Sequence, residues 1–312
     1  MSDARTATSS QASQAPLSEA IAMLDEIIDR GGPAPEDYGL VGDAFARMHA
    51  EEYEIHDGLA RRTRTSPAIA DIFSRHRAVF GTTASVQGMV RLKPHGYPGD
   101  YETIERLYAR TRSGLPHLTA WDDLLQHAPG AQAVRNRAMV FDSLIRSREP
   151  ASVASLACGP ALDIAAALPG SSIRRLTLLD NDANALRRAR VNLPDTKADV
   201  SFEHRNVIRW RPTETFDLIW CSGLFDYLED KVAVFLLQRL REALAPGGAV
   251  VIGNFAPGHA SRAYMETVGQ WLLIHRTDRD LLRLAAAAGA SPDKICVMSE
   301  PAGVNLFLVL ER

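Results

Sequence analysis

Two carboxylates in the second half of the chain stand where apolar runs break off. Asp180 ends "RLTLLD", and Asp163 follows the break in "SLACGPALDIAAALP", residues 155–169. A carboxylate at the end of a sheet strand can accept two neighbouring sugar hydroxyls through charge-assisted hydrogen bonds. The second stretch breaks at Gly159-Pro160 and becomes amphipathic again by Ile164. That is the outline of a strand, a tight loop and a helix start, as in a nucleotide-binding turn. It holds one glycine where such turns hold two or three, so an ordinary strand-to-helix corner is the other reading. Ser222 and Gly223 follow a further apolar run, "FDLIWC", at the carboxyl end where open α/β sheets bind ligands. Beyond it, "GLFDYL" brings Asp226, a base or a helix cap, and Tyr227. After "AVVIGNF" come Asn254, His259, Arg262 and Tyr264. Tyr264, Val268, Trp271 and His275 recur at helical spacing, which predicts one helix face, and Arg276 follows. Arg262 or Arg276 with Tyr264 would grip a carboxylate by forked hydrogen bonds. The alternative is a core-facing aromatic stripe with surface arginines.

The elements that must position these groups fall into two patterns. From Leu17 to about Arg148 the apolar spacing is helical, as in "LSEAIAMLDEIIDR" ending at Gly31-Gly32-Pro33. The turn-rich "KPHGYPGDYE" places Asp100 to cap a helix from Tyr101 and presents Tyr97 on a loop. That loop is either a lid over a site or a rigid turn. No strand is expected before residue 150. From Ala151 onward, apolar β-branched runs alternate with helical stretches, which predicts right-handed βαβ units and a mainly parallel sheet. The last two runs, joined by the short "PAGV", predict an antiparallel hairpin closing the sheet. The expected division is a disordered, Ser/Ala/Thr/Gln-rich tail (1–16), an all-helical cap or substrate domain (17–130) and an α/β domain (131–312).

Composition narrows the partners. The chain of 312 residues has a formal net charge of −3, without the basic excess of most nucleic-acid binders. No apolar run reaches membrane-spanning length. Cys158, Cys221 and Cys296 and nine scattered histidines show no metal-ligand spacing, so no metal is expected. Reduced thiols and the lack of a secretory core predict a cytoplasmic protein.

Four features occur in order: the Gly159 turn after the first strand, Asp180 ending the second, "FDLIWCSGLFDYL" as a fourth strand and its loop, and "LREALAPGGAVVIGNF" joining a helix to a fifth strand. Together they resemble the class I S-adenosylmethionine-dependent methyltransferases across about residues 130 to 312. More narrowly, "LACGPA", "KPHGYPGDYE", "AVRNR", "GLFDYL" and "NFAPGHASRAYME" resemble a bacterial methyltransferase group annotated for 3-hydroxypalmitic acid methyl ester biosynthesis. The resemblance implies a Rossmann-like seven-stranded sheet and S-adenosyl-L-methionine as cofactor. It places Ser155, Ala157, Gly159 and Ala161 where the usual loop has an acid and three glycines, with Cys158 between them; the missing acid is the larger departure. Alanine lets a backbone come close if its φ is negative, and Gly159 is where a positive φ is expected. Asp163 either replaces the acid near the cofactor's ammonium or simply occupies the first helical turn. Asp180 with Asn181 would hold the ribose, Asn206 and Val207 the adenine, and Arg135 or Arg137 the methionine carboxylate. Ser222 and Gly223 would line the cleft. Asp226, Tyr264 and Arg276 are the candidate catalytic residues, and Tyr97, Tyr227, Asn254, Arg262 and Trp271 the candidate acceptor contacts. The implied reaction is methylation of a small-molecule carboxylate to a methyl ester, with a homodimer possible. N- or C-methylation of another metabolite, or cofactor binding without catalysis, are the rival readings.

Overall fold

The computed structural model describes residues 16–312, so all but Pro16 of the expected tail lies outside the described residues. In chain order the elements are α1 (Leu17–Asp29), α2 (Tyr38–Glu52), β1 (Tyr53–His56), β2 (Leu59–Arg62), α3 (Pro67–Arg75), α4 (Arg77–Phe80), α5 (Val86–Leu92), α6 (Tyr101–Tyr108), α7 (Pro116–His127) and α8 (Pro129–Arg148). There follow β3 (Ser152–Leu156), α9 (Leu162–Ala167), β4 (Arg175–Asp180), α10 (Ala183–Asn192), β5 (Asp199–His204), β6 (Phe216–Cys221), α11 (Asp230–Glu242), β7 (Leu244–Phe255), α12 (Arg262–Thr267), α13 (Asp278–Ala287), β8 (Ile295–Ser299) and β9 (Asn305–Glu311).

Two compact units share these elements. The helical unit takes the described residues up to Gly99, Ala109–Ala131 and Gly258–Leu272; the sheet unit takes Asp100–Tyr108, Gln132–Pro257 and Leu273–Arg312. The single boundary expected near residue 130 therefore misses two exchanges. Helix α6 joins the sheet unit because Glu105 accepts hydrogen bonds from Arg188 (2.9 Å) and Asn192 (2.9 Å) of α10. Helix α12 joins the helical unit, where Tyr264 packs edge-on against Phe45 of α2, with ring centroids 5.1 Å apart.

The helical unit is built around Leu24, Phe45, Met48, Ile69, Phe80 and Trp121, the inward residues of its amphipathic helices. It is not all-helical. Strands β1 and β2 form an antiparallel hairpin in which His56 pairs with Leu59, leaving a two-residue turn. Asp57 (φ 48°) and Gly58 (φ 79°) both adopt positive φ, the requirement of a type I′ hairpin turn. The helix predicted to run through His275 also stops early, at Thr267. Gly269 follows, so close to its neighbours that a Cβ would stand 2.7 Å from Val90 Cγ1.

The sheet unit holds a seven-stranded sheet ordered β5-β4-β3-β6-β7-β9-β8. Strands β3 to β7 are parallel in their pairings, while β9 runs antiparallel to both β7 and β8. This is the expected α/β, Rossmann-like architecture with an antiparallel C-terminal hairpin. Both faces are covered, which explains the unbroken apolar runs. Leu218 and Trp220 of β6 point to one hydrophobic cluster, Ile219 and Cys221 to the other, following the period of two along a strand. Successive strands run outward from β3 to β4 and β5, then return to β6 on its other side. The carboxyl ends of β3 and β6 thus flank a topological switch point, where sheets of this type leave a crevice.

Candidate functional site

The loop after β3 is the most constrained part of that crevice. Ala157 (φ 50°), Gly159 (φ 54°) and Ala161 (φ 53°) are all left-handed. The condition set for the two alanines, a negative φ, is therefore not met. Each pays a steric cost of about 1–2 kcal/mol, which the surroundings must hold in place. They do so through β4: Cys158 N–H donates to Leu179 O (3.1 Å), and Gly159 N–H donates to Asp180 Oδ2 (2.8 Å). A Cβ built on Gly159 would meet open space, so the loop backbone faces an open approach at the head of β3. Burial pushes the Cys158 thiol well above its usual range, which disfavours the thiolate.

Asp180 sits beside this loop. Its Oδ1 accepts the Asp182 N–H at 2.9 Å and its Oδ2 the Gly159 N–H. Burial raises its carboxyl above the ordinary value, and these two amides oppose the rise. Each oxygen accepts one of these hydrogen bonds and retains a further lone pair for a hydroxyl. Asn181 is exposed, and its carbonyl accepts from His204 Nε2 (3.0 Å). Asn206 is exposed beyond β5; its Oδ1 caps a short 3-10 turn by accepting the Ile208 N–H (2.8 Å). Val207, buried, opens that turn, where the N–H has no intrahelical acceptor.

Across the switch point, Asp163 in the first turn of α9 accepts from Trp220 Nε1 (2.8 Å) and the Ile164 N–H (2.9 Å). Ser222 Oγ lies 3.5 Å from the same carboxylate. Burial raises the Asp163 carboxyl, opposed by Trp220 and by the charge of Arg137. Arg137 of α8 donates from Nε to Asn305 Oδ1 (2.8 Å). A Cβ on Gly223 would stand 3.1 Å from its Nη1, so the guanidinium lies directly against the loop after β6. Arg135 donates to Leu107 O (3.4 Å) at the end of α6. Tyr108, which no sequence motif singled out, belongs to this cluster: burial and the Asp163 charge raise its phenol, and Arg137 opposes them. Its position at the end of an amphipathic helix gave no signal of such a role.

Several expected site residues have structural duties instead. Arg276 directs every guanidinium N–H inward, to Phe225 O (2.9 Å), Leu228 O, Asn254 Oδ1 (2.8 Å) and Asp230 Oδ1 (2.8 and 3.1 Å). No donor remains for a substrate carboxylate. Asn254 is fully buried and donates to Ile274 O (2.8 Å) as well as accepting from Arg276. Asp226 accepts the Phe255 N–H at 2.6 Å. Burial pushes its carboxyl up to about 6, against the charge of Arg137. These three residues bind the loop after β6 to the end of β7. Tyr227 is exposed on that loop.

The remaining candidates lie in the helical unit. Tyr264 donates its hydroxyl to Gln87 Oε1. Arg262 is buried and donates to Glu266 Oε1 (3.0 Å) and Gly58 O (2.8 Å), so Glu266 already fills the place of a substrate carboxylate. Trp271 packs over Gly99, where a Cβ would approach its ring to 2.5 Å. Tyr97 is exposed on the preceding loop. Among the described residues, no group of His, Cys, Asp and Glu is arranged to hold a metal ion, and no helix is long and apolar enough to cross a membrane.

Residues 153–248, from β3 into β7, match the family described as a methyltransferase domain. The chain is 32% identical over 97 residues to a trans-aconitate 2-methyltransferase of Rhizobium etli, covering 31% of this chain and 36% of that one. It is 29% identical over 175 residues to a trans-aconitate 2-methyltransferase of Azoarcus sp. strain BH72, covering 55% and 66%. The chain thus spans little more than a third of the first relative and under two thirds of the second. A crystal structure described as a possible exported protein from Bordetella parapertussis shares the fold over 99% of both chains, with a TM-score of 0.59 and 18% identity.

Proposed function

We propose that the protein is an S-adenosylmethionine-dependent methyltransferase whose acceptor is a small-molecule carboxylate, converted to a methyl ester. The observation that carries this reading is the left-handed loop 157–161 clasped to Asp180 at the switch point, inside the segment that matches a methyltransferase domain. The residues present fit the cofactor. The open approach above Gly159 admits a ligand close to the backbone. The Asp180 carboxylate suits a pair of ribose hydroxyls. Asn206 and the Val207 N–H offer an acceptor and a donor to a purine edge. Arg137 suits the methionine carboxylate, and Asp163 its ammonium. Bound there, the cofactor would supply a methyl group on a positively charged sulfur, reactive enough to need alignment more than activation.

The chain's own task is then to orient the acceptor, which can lower a barrier by roughly 7–11 kcal/mol. A carboxylate acceptor is ionised at neutral pH and needs no general base. That agrees with a cleft whose central cation is Arg137 and whose buried Asp226 is engaged by Phe255 N–H. The relatives named trans-aconitate 2-methyltransferases, and the resemblance to the methyl ester biosynthesis group, support the same acceptor class.

Incubation with methyl-labelled cofactor and a panel of carboxylic acids should give label that mild base releases. Base-stable label would favour N- or C-methylation instead. In calorimetry, Asp180→Ala should weaken S-adenosylhomocysteine by about 100-fold or more, the loss of two hydrogen bonds to a charged group. Unchanged affinity would remove Asp180 from the site, and binding without turnover on any acid would leave a cofactor-binding protein.

A further inference from the structure

The helical unit contains a cavity of about 520 Å³ with a mixed lining. Phe73, Phe80 and Leu92, from α3, α4 and α5, are its large apolar side chains. Three arginines line it too: Arg62 of β2, Arg77 of α4 and Arg91 of α5. Only one carboxylate, Glu52, joins them in the lining. It is 2% exposed and already accepts from Arg62 Nη2 (2.5 Å) and the Ser66 N–H (2.8 Å). Among the described residues, no carboxylate lies within ion-pairing distance of Arg77 or Arg91. The cavity therefore carries two positive charges that the protein does not neutralise.

Arg91 is the more constrained of the two. Its guanidinium carbon stands 3.9 Å from the centroid of the Phe73 ring, and its Nη1 donates to Val268 O (2.9 Å). One face of the planar group is thus covered, one of its five N–H groups is engaged, and an edge with parallel donors stays available. Burial and the neighbouring charge of Arg62 both disfavour its cationic form. A second group is also unsatisfied. Thr267 lines the cavity at 4% exposure, and its Oγ1 has no hydrogen-bond partner among the described residues. A half-buried cation without counter-charge, such as Arg91, and a buried hydroxyl without a partner are costly unless something meets them. The apolar part of the lining favours a ligand that is not a bare inorganic ion.

We propose that this cavity is a binding site for a small organic carboxylate with an apolar body. Arg91, assisted by Arg77, takes the carboxylate in a forked pair; Thr267 hydrogen-bonds the same head; and Phe73, Phe80 and Leu92 cover the body. The site rests on the helical unit alone and stands whether or not the chain transfers methyl groups.

The test is calorimetric titration of the full chain, in saturating S-adenosylhomocysteine, with benzoate and hexanoate, with the neutral amides of both, and with inorganic phosphate. The carboxylates should bind, and their amides at least about tenfold more weakly, since a hydrogen bond to a charged group is lost. Phosphate should also be the weaker ligand, because it leaves the apolar part of the lining wet. Arg91→Met should reduce carboxylate affinity by about tenfold or more. Because Arg91 also holds Val268 O, Arg77→Met serves as the second variant. Arg77 is exposed at the cavity rim and accepts no structural duty, so this variant should weaken binding severalfold with an unchanged melting temperature. The proposal is overturned if amides bind as well as carboxylates, if phosphate binds as tightly as benzoate, or if neither arginine variant weakens binding.

Discussion

Replacing Arg276 with methionine should destabilise the sheet unit by about 3–5 kcal/mol, the range for breaking a buried charged network. Arg276 is 2% exposed, and all its donors meet protein acceptors. The Asp230 side chain is 56% exposed, so that ion pair is screened and contributes no more than about 1 kcal/mol. The larger loss comes from Phe225 O, Leu228 O and Asn254 Oδ1, three neutral acceptors left buried at about 1–3 kcal/mol each. Methionine refills much of the aliphatic volume, which holds the sum near the lower half of that range. Urea denaturation followed by tryptophan fluorescence should show a lower midpoint with an unchanged slope. A loss below about 1 kcal/mol, together with a raised acceptor KM, would refute this account. It would mean that Arg276 turns a donor toward substrate.

Two further outcomes follow from the crevice. At Ala157, Val should cost about 2 kcal/mol and weaken S-adenosylhomocysteine, whereas Gly should be tolerated, because only a residue without a branched Cβ accepts φ 50° cheaply; equal effects of the two substitutions in denaturation and calorimetry would sink the strained-loop description. Burial pushes the Asp226 carboxyl up to about 6 in the fold, from the ordinary 3.8 of an aspartate, so its contribution to stability is fully present below about pH 4 and is lost as pH rises through 6. Asp226→Asn keeps an acceptor for the Phe255 N–H and should gain on the wild type by about 2–3 kcal/mol between pH 4 and pH 7. Denaturation midpoints that keep a constant difference across that window would contradict the assignment.

The sheet was legible because strands covered on both faces write themselves as β-branched apolar runs, and the place of Asp180 at the end of β4 was legible because its run stops there. The conformation of the loop was not, because alanine carries no mark of a left-handed backbone; only the hydrogen bonds from the β4 end impose it. The Asp57-Gly58 pair did advertise a hairpin, but the helical period of the residues before it masked the signal. "TVGQWLLIHR" looked helical because its apolar residues fall at that spacing. Its backbone instead bonds to other segments, with Ile274 N–H donating to Asp226 O (2.7 Å) and Arg276 N–H to Phe255 O (3.0 Å). Arg262, Arg276 and Asn254 were read as ligand contacts because residue type reveals what a side chain can donate, not whether the fold already uses it. Tyr108 gave no signal for the converse reason, since its surroundings are assembled from segments distant in the chain.

Strand β9 is synthesised after β8 yet lies between β8 and β7. Until residues 305–311 leave the ribosome, β7 presents a bare hydrogen-bonding edge and β8 has no neighbour to pair with. Between the emergence of β7 and that of β9 the nascent chain must therefore hold an incomplete sheet, open to mispairing with other chains. A stop codon before Asn305 would remove seven residues from the sheet's interior, not from its margin.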